Sequence, residues 1–373
     1  MSHGTSLFLY GTLLHGPLLE AVLGRPSKTR RAHLRDHSVH AVAGEPFPMI
    51  QPDPGTAAEG VLLEGLSEQD LARLDFYEGT YGFTLGAVTV IAGAAPAEAH
   101  AYHPEAGLWQ ADGPWDLSAW VEEWGAVTAK AAVEFMALHG SHSPQDAARA
   151  YPQIMMRAQS ALRAEAKPAP ASLRNAAEGS TVEIAARRRP HVGYFAVSRD
   201  DLRFPRFDGT MSETVTREAF LMPDAVTVLP YDPKRDRVLV IEQYRYGMHM
   251  RGDPRPWSLE PIAGRIDPGE TPEDTAHRET AEEAGITLSG LHSIGRHYPS
   301  PGAVSEFLHS FVGLADLPDD ASRIGGLLSE HEDIRAHVIP FDRLMQLVDT
   351  GEAGTSPLVL SAYWLALNRS ALG

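Results

Sequence analysis

The chain contains no cysteine, which excludes disulfides, thiolate nucleophiles and cysteine-ligated zinc sites. It also lacks any apolar run long enough to span a membrane. Its first residues, MSHGTSLFLYGTLL, lack the basic start and the long apolar stretch of a signal peptide. From these absences we expect a cytoplasmic protein without a membrane partner.

Basic residues are also scarce. The 373 residues include 32 lysines and arginines against 49 aspartates and glutamates, which gives a formal net charge of -17. A chain this acidic repels the phosphates of nucleic acids, so we expect no nucleic-acid partner. A phosphorylated small molecule remains compatible with this charge if a metal ion and a few arginines hold it.

The length suggests two domains, each with room for a core of its own. Between them, residues 163–180 read RAEAKPAPASLRNAAEGS, which is rich in alanine and proline and lacks aliphatic periodicity. The sequence therefore predicts one domain over residues 1–162, a linker over 163–180 and a second domain over 181–373.

Residues 264–286 read GRIDPGETPEDTAHRETAEEAGI and contain the most informative pattern. Thr271 and Pro272 favour the start of a helix, and Gly285 suits its end. Glutamates at positions 279, 282 and 283 then share one helix face, where their hard oxygen atoms suit Mg²⁺, or alternatively Mn²⁺. The plain alternative for three such glutamates is a solvated acidic face.

The fixed points of this segment follow the Nudix spacing, G-x5-E-x7-R-E-U-x-E-E-x-G-U, where U is a bulky aliphatic residue. The second half of the chain therefore resembles the Nudix hydrolases, which cleave nucleoside diphosphates linked to another group. Thr280 departs from the pattern, because relatives usually carry an aliphatic residue there. The positions that carry the resemblance are Gly264, Glu270, Arg278, Glu279, Glu282, Glu283, Gly285 and Ile286.

Four flanking segments narrow the resemblance to the ADP-ribose pyrophosphatases. They read VIEQYR at 240–245, LEPIAG at 259–264, SPGAVSE at 300–306 and SEHEDIR at 329–335. Pro301, which lies 16 residues beyond Gly285, stands where that subfamily carries a proline. The resemblance implies hydrolysis of ADP-ribose to AMP and ribose 5-phosphate, and a homodimer formed through the strands of residues 182–221.

The same resemblance implies roles for individual residues. Glu279 and Glu283 would bind the metal ions, with Glu282 adding or orienting a ligand. The other implied metal ligands are Glu332 and the carbonyl of Ala263. Arg278 and Glu270 would pair and hold the loop in shape, and Gly264 and Gly285 would have structural roles. Glu330 would be the general base, and Arg217, Arg245 and Glu306 would face the substrate. The plain alternatives are that Glu330 and Glu332 are solvated loop acids and that Arg245 only pairs with a carboxylate.

In the first half, YGTL at 10–13 follows an apolar strand, and LDFYEGTY occupies 74–81. These segments resemble the gamma-glutamylcyclotransferase-like family. The resemblance implies that Glu78 is the acid/base and that the backbone amides of Tyr10, Gly11, Thr12 and Leu13 hold carboxylate or oxyanion charge. The alternative is a binding or scaffolding module in which Glu78 merely ends a helix. The fusion also resembles bacterial proteins labelled for tellurite resistance.

We therefore expect a mixed α/β (α+β) protein, with a small mixed β-barrel plus helices first and the αβα sandwich of the Nudix fold second. Local patterns predict a helix over residues 115–139 and a strand over 191–197. Two other functions stay open. One is hydrolysis of another nucleoside diphosphate derivative, such as a nucleotide sugar or a dinucleotide. The other is an ADP-ribose sensor that does not hydrolyse its ligand.

Overall fold

Two separate hydrophobic cores divide the chain in the computed structural model, which describes residues 5–175, 177–321, 324–326 and 333–372. The division gives one unit over Met1–Pro168 and another over Ala169–Gly373. Glu330 and Glu332 lie outside the described residues. Among the described residues, no helix combines the length and the hydrophobicity needed to cross a membrane.

The first unit is a closed five-stranded barrel with one added strand. The sheet order is β3-β1-β5-β4-β2-β6, and a further pairing between β3 and β2 closes the ring. Asp36 adopts a positive φ of 55° at a bulge in β2, which lets this long strand bend around the barrel. The strands are β1 (Thr5–Leu9), β2 (Thr29–Val42), β3 (Glu45–Leu66), β4 (Phe83–Ala92), β5 (Ala95–Pro104) and β6 (Ala111–Pro114).

Helices cover this barrel, and one differs from its prediction. The helix expected over residues 115–139 begins only after Asp116, which caps it by accepting from the amides of Ser118 and Ala119. A π-helical turn, Val121–Gly125, then interrupts it. The helices of the unit are α1 (Gly16–Leu23), α2 (Glu68–Glu78), α3 (Leu117–Trp120), α4 (Ala126–Met136) and α5 (Pro144–Ala166).

The start of the predicted linker is helical. Helix α5 continues to Ala166, so residues 163–166 belong to the helix and not to a linker. The reason is local, because the sequence RAEA consists of strong helix formers, and Pro168 follows only after the helix has ended.

In the second unit a mixed sheet lies between helices. Its order is β14-β15-β10-β11-β17-β16, with β12 paired to β11 and β13 paired to β10. Every residue of β10 is buried, as expected for a strand covered on both faces. The strands are β10 (Ala225–Asp232), β11 (Arg237–Tyr244), β12 (Trp257–Glu260), β13 (Ile262–Arg265), β14 (Gly290–His297), β15 (Leu308–Leu314), β16 (Ile324–Gly325) and β17 (Ile334–Pro340).

The two faces of this sheet have separate cores, which makes the layers α/β/α. Val226 and Val228 pack with Ala276 of the helix after β13, whereas Leu229 and Tyr231 pack with the two C-terminal helices. The helices are α6 (Tyr246–Arg251), α7 (Pro272–Ala284), α8 (Phe341–Thr350) and α9 (Ser356–Asn368). The expected sandwich is therefore confirmed.

A three-stranded antiparallel sheet precedes the sandwich. It consists of β7 (Glu183–Val192), β8 (Ala196–Arg203) and β9 (Val215–Leu221). The predicted strand over residues 191–197 is wrong, because residues 193–195 form the turn between β7 and β8. The aromatic Tyr194 and Phe195 raised the local strand signal, but Gly193 allows the chain to reverse there.

Candidate active sites

Helix α7 has strong signals at both ends. Thr271 accepts a hydrogen bond from the amide of Asp274, and the Asp274 carboxylate accepts from the Thr271 amide, which completes a capping box. Gly285 ends the helix in the left-handed region at φ 60° and donates its N–H to the carbonyl of Ala281. These ends fix which residues face strand β13.

Two glutamates of α7, Glu279 and Glu283, lie against the β13 backbone. Glu283 is 2% exposed, and one of its carboxylate oxygens lies 3.4 Å from the amide nitrogen of Ala263. A Cβ added to Gly264 would lie 1.9 Å from the carboxyl carbon of Glu279, so only glycine leaves room for that side chain. The side chain of Glu282, at 33% exposed, is the most open of the three.

Arg278 connects these glutamates to the loop before the helix. It donates two hydrogen bonds to Glu270, both 2.9 Å long, and these bonds hold the pKa of Glu270 below its usual value. One of its terminal nitrogens also lies 2.7 Å from Glu279 and 3.0 Å from Glu282. The other donates to the carbonyl of Arg265 at 3.2 Å. Arg278 thus ties the loop, the strand and two of the carboxylates together.

This arrangement fits a divalent cation by its donor chemistry. The carboxylates of Glu279 and Glu282 already share one cationic nitrogen of Arg278, so they lie within a few ångströms of each other. Their oxygens and those of Glu283 are hard ligands of the kind that such ions prefer. Within the described residues, no three acidic or histidine side chains are gathered closely enough to enclose an ion as placed.

Thr280, the departure from the family pattern, is fully buried beside these residues. Its hydroxyl donates to the carbonyl of Ala276 at 2.7 Å, which satisfies the polar group inside the helix. The position therefore packs into the core as an aliphatic residue would.

Arg245 and Glu306 lie on the same side of the sandwich. Arg245 donates two hydrogen bonds, of 2.9 and 2.6 Å, to the carboxylate of Glu260. Burial raises the pKa of Glu306, and the positive charges of Arg265 and Arg245 oppose that shift. The guanidinium of Arg265 also stacks over the ring of Tyr194 at 4.3 Å. Sequence reasoning missed Arg265 and Tyr194, although an arginine directly after Gly264 was a signal.

Arg217 lies apart from that group of charges. It is exposed on β9, opposite Asp200 in the ladder, and donates to the carbonyl of Thr216 at 3.1 Å. Among the described residues, its contacts lie within the sheet of β8 and β9, and none joins it to α7 or to Arg245.

The first unit contains a cavity of about 140 Å³. Tyr10, Gly11, Thr12 and Leu13 line it together with Glu78, so the structure brings the predicted turn and the predicted acid into one space. Most of the remaining wall is aromatic. Among the described lining residues there is no lysine, arginine or histidine.

Glu78 ends α2 and faces this cavity. Burial raises its pKa to about 8, so the carboxyl group is poised to exchange a proton near neutral pH. Burial of Tyr10 raises the pKa of its hydroxyl, and the negative charge of Glu78 adds to that shift; the hydroxyl donates to the carbonyl of Tyr102 at 2.6 Å.

The turn opposite Glu78 presents backbone donors. Leu14 and His15 donate their amides back to the carbonyls of Gly11 and Thr12. Gly11, Thr12 and Leu13 begin this 3-10 turn, and the first N–H groups of a helix point away from its own carbonyls. A Cβ on Gly11 would lie 2.9 Å from the side chain of Pro48, so a larger residue would force one of the two to shift. Exposed N–H groups in such a turn suit a carboxylate or an oxyanion.

Sequence reasoning missed three tyrosines beside Glu78. Tyr77, Tyr81 and Tyr151 line the same cavity, and the ring of Tyr81 lies 5.9 Å from each of the other two; burial raises the pKa of all three. Tyr77 and Tyr81 belong to the LDFYEGTY segment, so that motif was a signal for both. Tyr151 gave no local signal, because it lies far along the chain on α5.

Comparison with known families assigns both halves. The Nudix domain family matches residues 221–359. The family described as gamma-glutamyl cyclotransferase, AIG2-like, matches residues 7–119. These two matches cover the site on α7 and most of the cavity around Glu78.

Individual relatives align with the second half. An ADP-ribose pyrophosphatase of Escherichia coli (strain K12) is 39% identical over 191 residues, which is 51% of this chain and 90% of that protein. One of Haemophilus influenzae is 37% identical over 193 residues, which is 51% of this chain and 88% of that protein. A GDP-mannose pyrophosphatase of Escherichia coli O1:K1 / APEC is 29% identical over 175 residues, or 47% of this chain and 90% of that protein. The chain therefore belongs to the Nudix family and carries an AIG2-like gamma-glutamyl cyclotransferase domain in its first half.

Proposed function

We propose that residues 181–373 hydrolyse the diphosphate of ADP-ribose to AMP and ribose 5-phosphate with the help of Mg²⁺. The observation that carries this proposal is the packing of Glu279 and Glu283 against the β13 backbone at Gly264. The 39% identity to an ADP-ribose pyrophosphatase supports this substrate over GDP-mannose, whose pyrophosphatase is 29% identical.

Each group in the site has a separate task. Bound divalent ions supply positive charge that neutralises the diphosphate and favours its attack by water. Glu279, Glu282, Glu283 and the carbonyl of Ala263 would hold these ions, together with Glu332. Glu330 would take the proton from the attacking water.

The surrounding residues position the substrate and the helix. Arg278, held by Glu270, keeps α7 in place against the loop. Arg245 and Glu306 would face the substrate beside Arg265. Arg217 would join them only if a second subunit brings its β9 strand to the site.

The test is a hydrolysis assay on the full chain with Mg²⁺ and a panel of ADP-ribose, GDP-mannose and a dinucleotide. Glu283→Gln should lower turnover of ADP-ribose by at least about 100-fold, since it removes a charged oxygen from the site. Glu273→Gln is the matched control, because Glu273 is an exposed acid on the same helix outside the cluster.

The outcomes separate the alternatives. Preferred cleavage of GDP-mannose or of the dinucleotide would replace the proposed substrate. Binding of ADP-ribose without cleavage would identify a sensor. Near wild-type turnover by Glu283→Gln would show that Glu283 is not a metal ligand. Calorimetric titrations of the full chain with Mg²⁺ and with Mn²⁺ test which ion it binds more tightly.

We also propose that the second unit forms a homodimer through the sheet of β7, β8 and β9. Support comes from apolar side chains that this part of the chain exposes, including Phe207 at 96%, Tyr194 at 65% and Phe220 at 50%. A monomeric mass by light scattering in an active preparation would refute the dimer. The cytoplasmic location stays a prediction, which cell fractionation tests.

The cavity around Glu78 favours a second activity, a gamma-glutamyl cyclotransferase. The α-amino nitrogen of a gamma-glutamyl amide would form a bond to the γ-carbonyl carbon while Glu78 takes its proton. The bond from that carbon to the amide nitrogen then breaks, and Glu78 returns the proton to the leaving amine. The amides of Gly11, Thr12 and Leu13 would hold the developing oxyanion.

Release of 5-oxoproline from gamma-glutamyl amides by the full chain tests this activity. Glu78→Gln should abolish it, because glutamine accepts no proton. Tight binding of the amides without product would leave the domain as a binding module.

A further inference from the structure

Part of the cavity wall comes from sequence beyond the cyclotransferase family match. That match ends at residue 119, whereas Tyr151 and Met155 of α5 also line the cavity. Helix α5 therefore contributes to the site of this chain in a way that the family resemblance does not describe.

Helix α5 is firmly held and does not act as a loose cover. Arg157 pairs with Glu134 of α4 at 2.9 Å, with side chains only 6% and 19% exposed. Ile154 and Ala158 of the same helix are buried. Tyr151 thus projects from a fixed element.

The ring of Tyr151 is fixed as well. It meets the rings of Tyr81 and Phe135 nearly at right angles, with centroids 5.9 and 5.6 Å away. Tyr77 and Tyr81, which flank Glu78 in the sequence, line the same cavity as Tyr151. Moving this ring aside would break its contacts with the rings of Tyr81 and Phe135.

Charge limits what can lie against this wall. Glu78 and Glu45 are the acids of the cavity lining, and the described lining residues include no basic side chain. A second carboxylate on a ligand would meet repulsion and no counterion here. An uncharged, apolar group would instead pack against the aromatic rings.

From this geometry we propose that Tyr151 is a specificity-determining residue, which limits the length of the group on the amide nitrogen of a gamma-glutamyl substrate and selects short, uncharged, apolar groups. This inference rests on the proposed cyclotransferase activity. It adds a residue on α5 that lies outside the matched family region.

The experiment uses the full chain and a series of gamma-glutamyl alkylamides from ethyl to hexyl, with gamma-glutamylglycine as the charged comparison. Release of 5-oxoproline gives kcat/KM, and quenching of Trp120, which lines the cavity, gives binding independently of turnover. The variants are Tyr151→Ala and, in case the smaller residue disturbs folding, Tyr151→Leu. Tyr151→Phe keeps the ring, and Gln145→Ala changes an exposed residue of the same helix.

Wild type should favour the short amides and discriminate against gamma-glutamylglycine. Tyr151→Ala and Tyr151→Leu should shift the preference toward longer chains by about fourfold per added methylene, because each one finds new apolar space. Tyr151→Phe and Gln145→Ala should keep the wild-type preference.

Each other outcome is decisive. Turnover with an unchanged length preference in Tyr151→Ala and Tyr151→Leu overturns the role of Tyr151 and leaves the activity standing. Binding that shows the shift without any 5-oxoproline supports the role of Tyr151 and overturns the activity. Absence of both binding and turnover across the series overturns both.

Discussion

Replacing Glu78 with glutamine should make the stability of the first unit less dependent on pH. Burial raises the pKa of Glu78 from an ordinary 4.5 to about 8. Between these values the folded chain holds a proton that the unfolded chain has released, so the free energy of unfolding falls as pH rises. Above pH 8 the loss is complete, because both states are then ionised.

The size of the effect follows from that interval. Each pH unit is equivalent to ~1.4 kcal/mol, so the whole interval sets an upper limit of about 5 kcal/mol. Glu78 is only partly buried and keeps some surface toward the cavity, where water weakens the penalty. We therefore expect the free energy of unfolding of Glu78→Gln to exceed that of wild type by about 2 to 3 kcal/mol at pH 8 and to match it near pH 5.

Denaturant unfolding of the full chain from pH 5 to 9 measures this difference. Tryptophan fluorescence follows both units, and four of the six tryptophans, Trp109, Trp115, Trp120 and Trp124, lie in the first. Glu123→Gln, at an exposed glutamate of the same unit, is the control and should show no such divergence. A constant difference between Glu78→Gln and wild type across this pH range would show that Glu78 is already ionised in the fold.

Three further predictions concern residues with defined contacts. Gly264→Ala should reduce hydrolysis of ADP-ribose by about 100-fold or more, because its Cβ would displace Glu279, and unchanged kcat/KM would refute this. Arg278→Gln should lower the free energy of unfolding by about 2 kcal/mol, because it leaves partly buried carboxylates without a partner. A urea midpoint of unfolding equal to that of wild type would contradict this. Asp70→Asn should cost about 1 kcal/mol at pH 7, because Arg25 and the Ser67 cap hold the pKa of Asp70 well below 3.8. That cost should shrink as pH falls below 3.8, and a cost that persists in acid would show that charge is not its cause.

Elements with strong local signals were predictable from sequence. Helix α7 starts after its Thr271 cap and ends at Gly285, as the pattern indicated. The residues that decide both ends lie within a few positions of them, so no distant contact was needed.

Long-range features were not predictable in the same way. Closure of the barrel depends on β3 pairing with both β1 and β2, which no local pattern encodes. Spacing placed Glu279 and Glu282 on one face but could not show that Arg278 holds both. Tyr151 lines the same cavity as Glu78 only because α5 folds back against α4, so its part in the cavity required the tertiary structure.

Thr280 has a consequence for how the family pattern is interpreted. Its hydroxyl donates to the carbonyl of Ala276, which in a regular helix already accepts a hydrogen bond from the Thr280 amide. Removing the hydroxyl would therefore leave no group unsatisfied. Valine and threonine have nearly the same shape and should be interchangeable here at little cost. This position therefore requires a compact side chain, and a polar atom is tolerated there when the helix itself satisfies it. A search that demands an aliphatic residue there would overlook chains with an otherwise intact metal-binding helix.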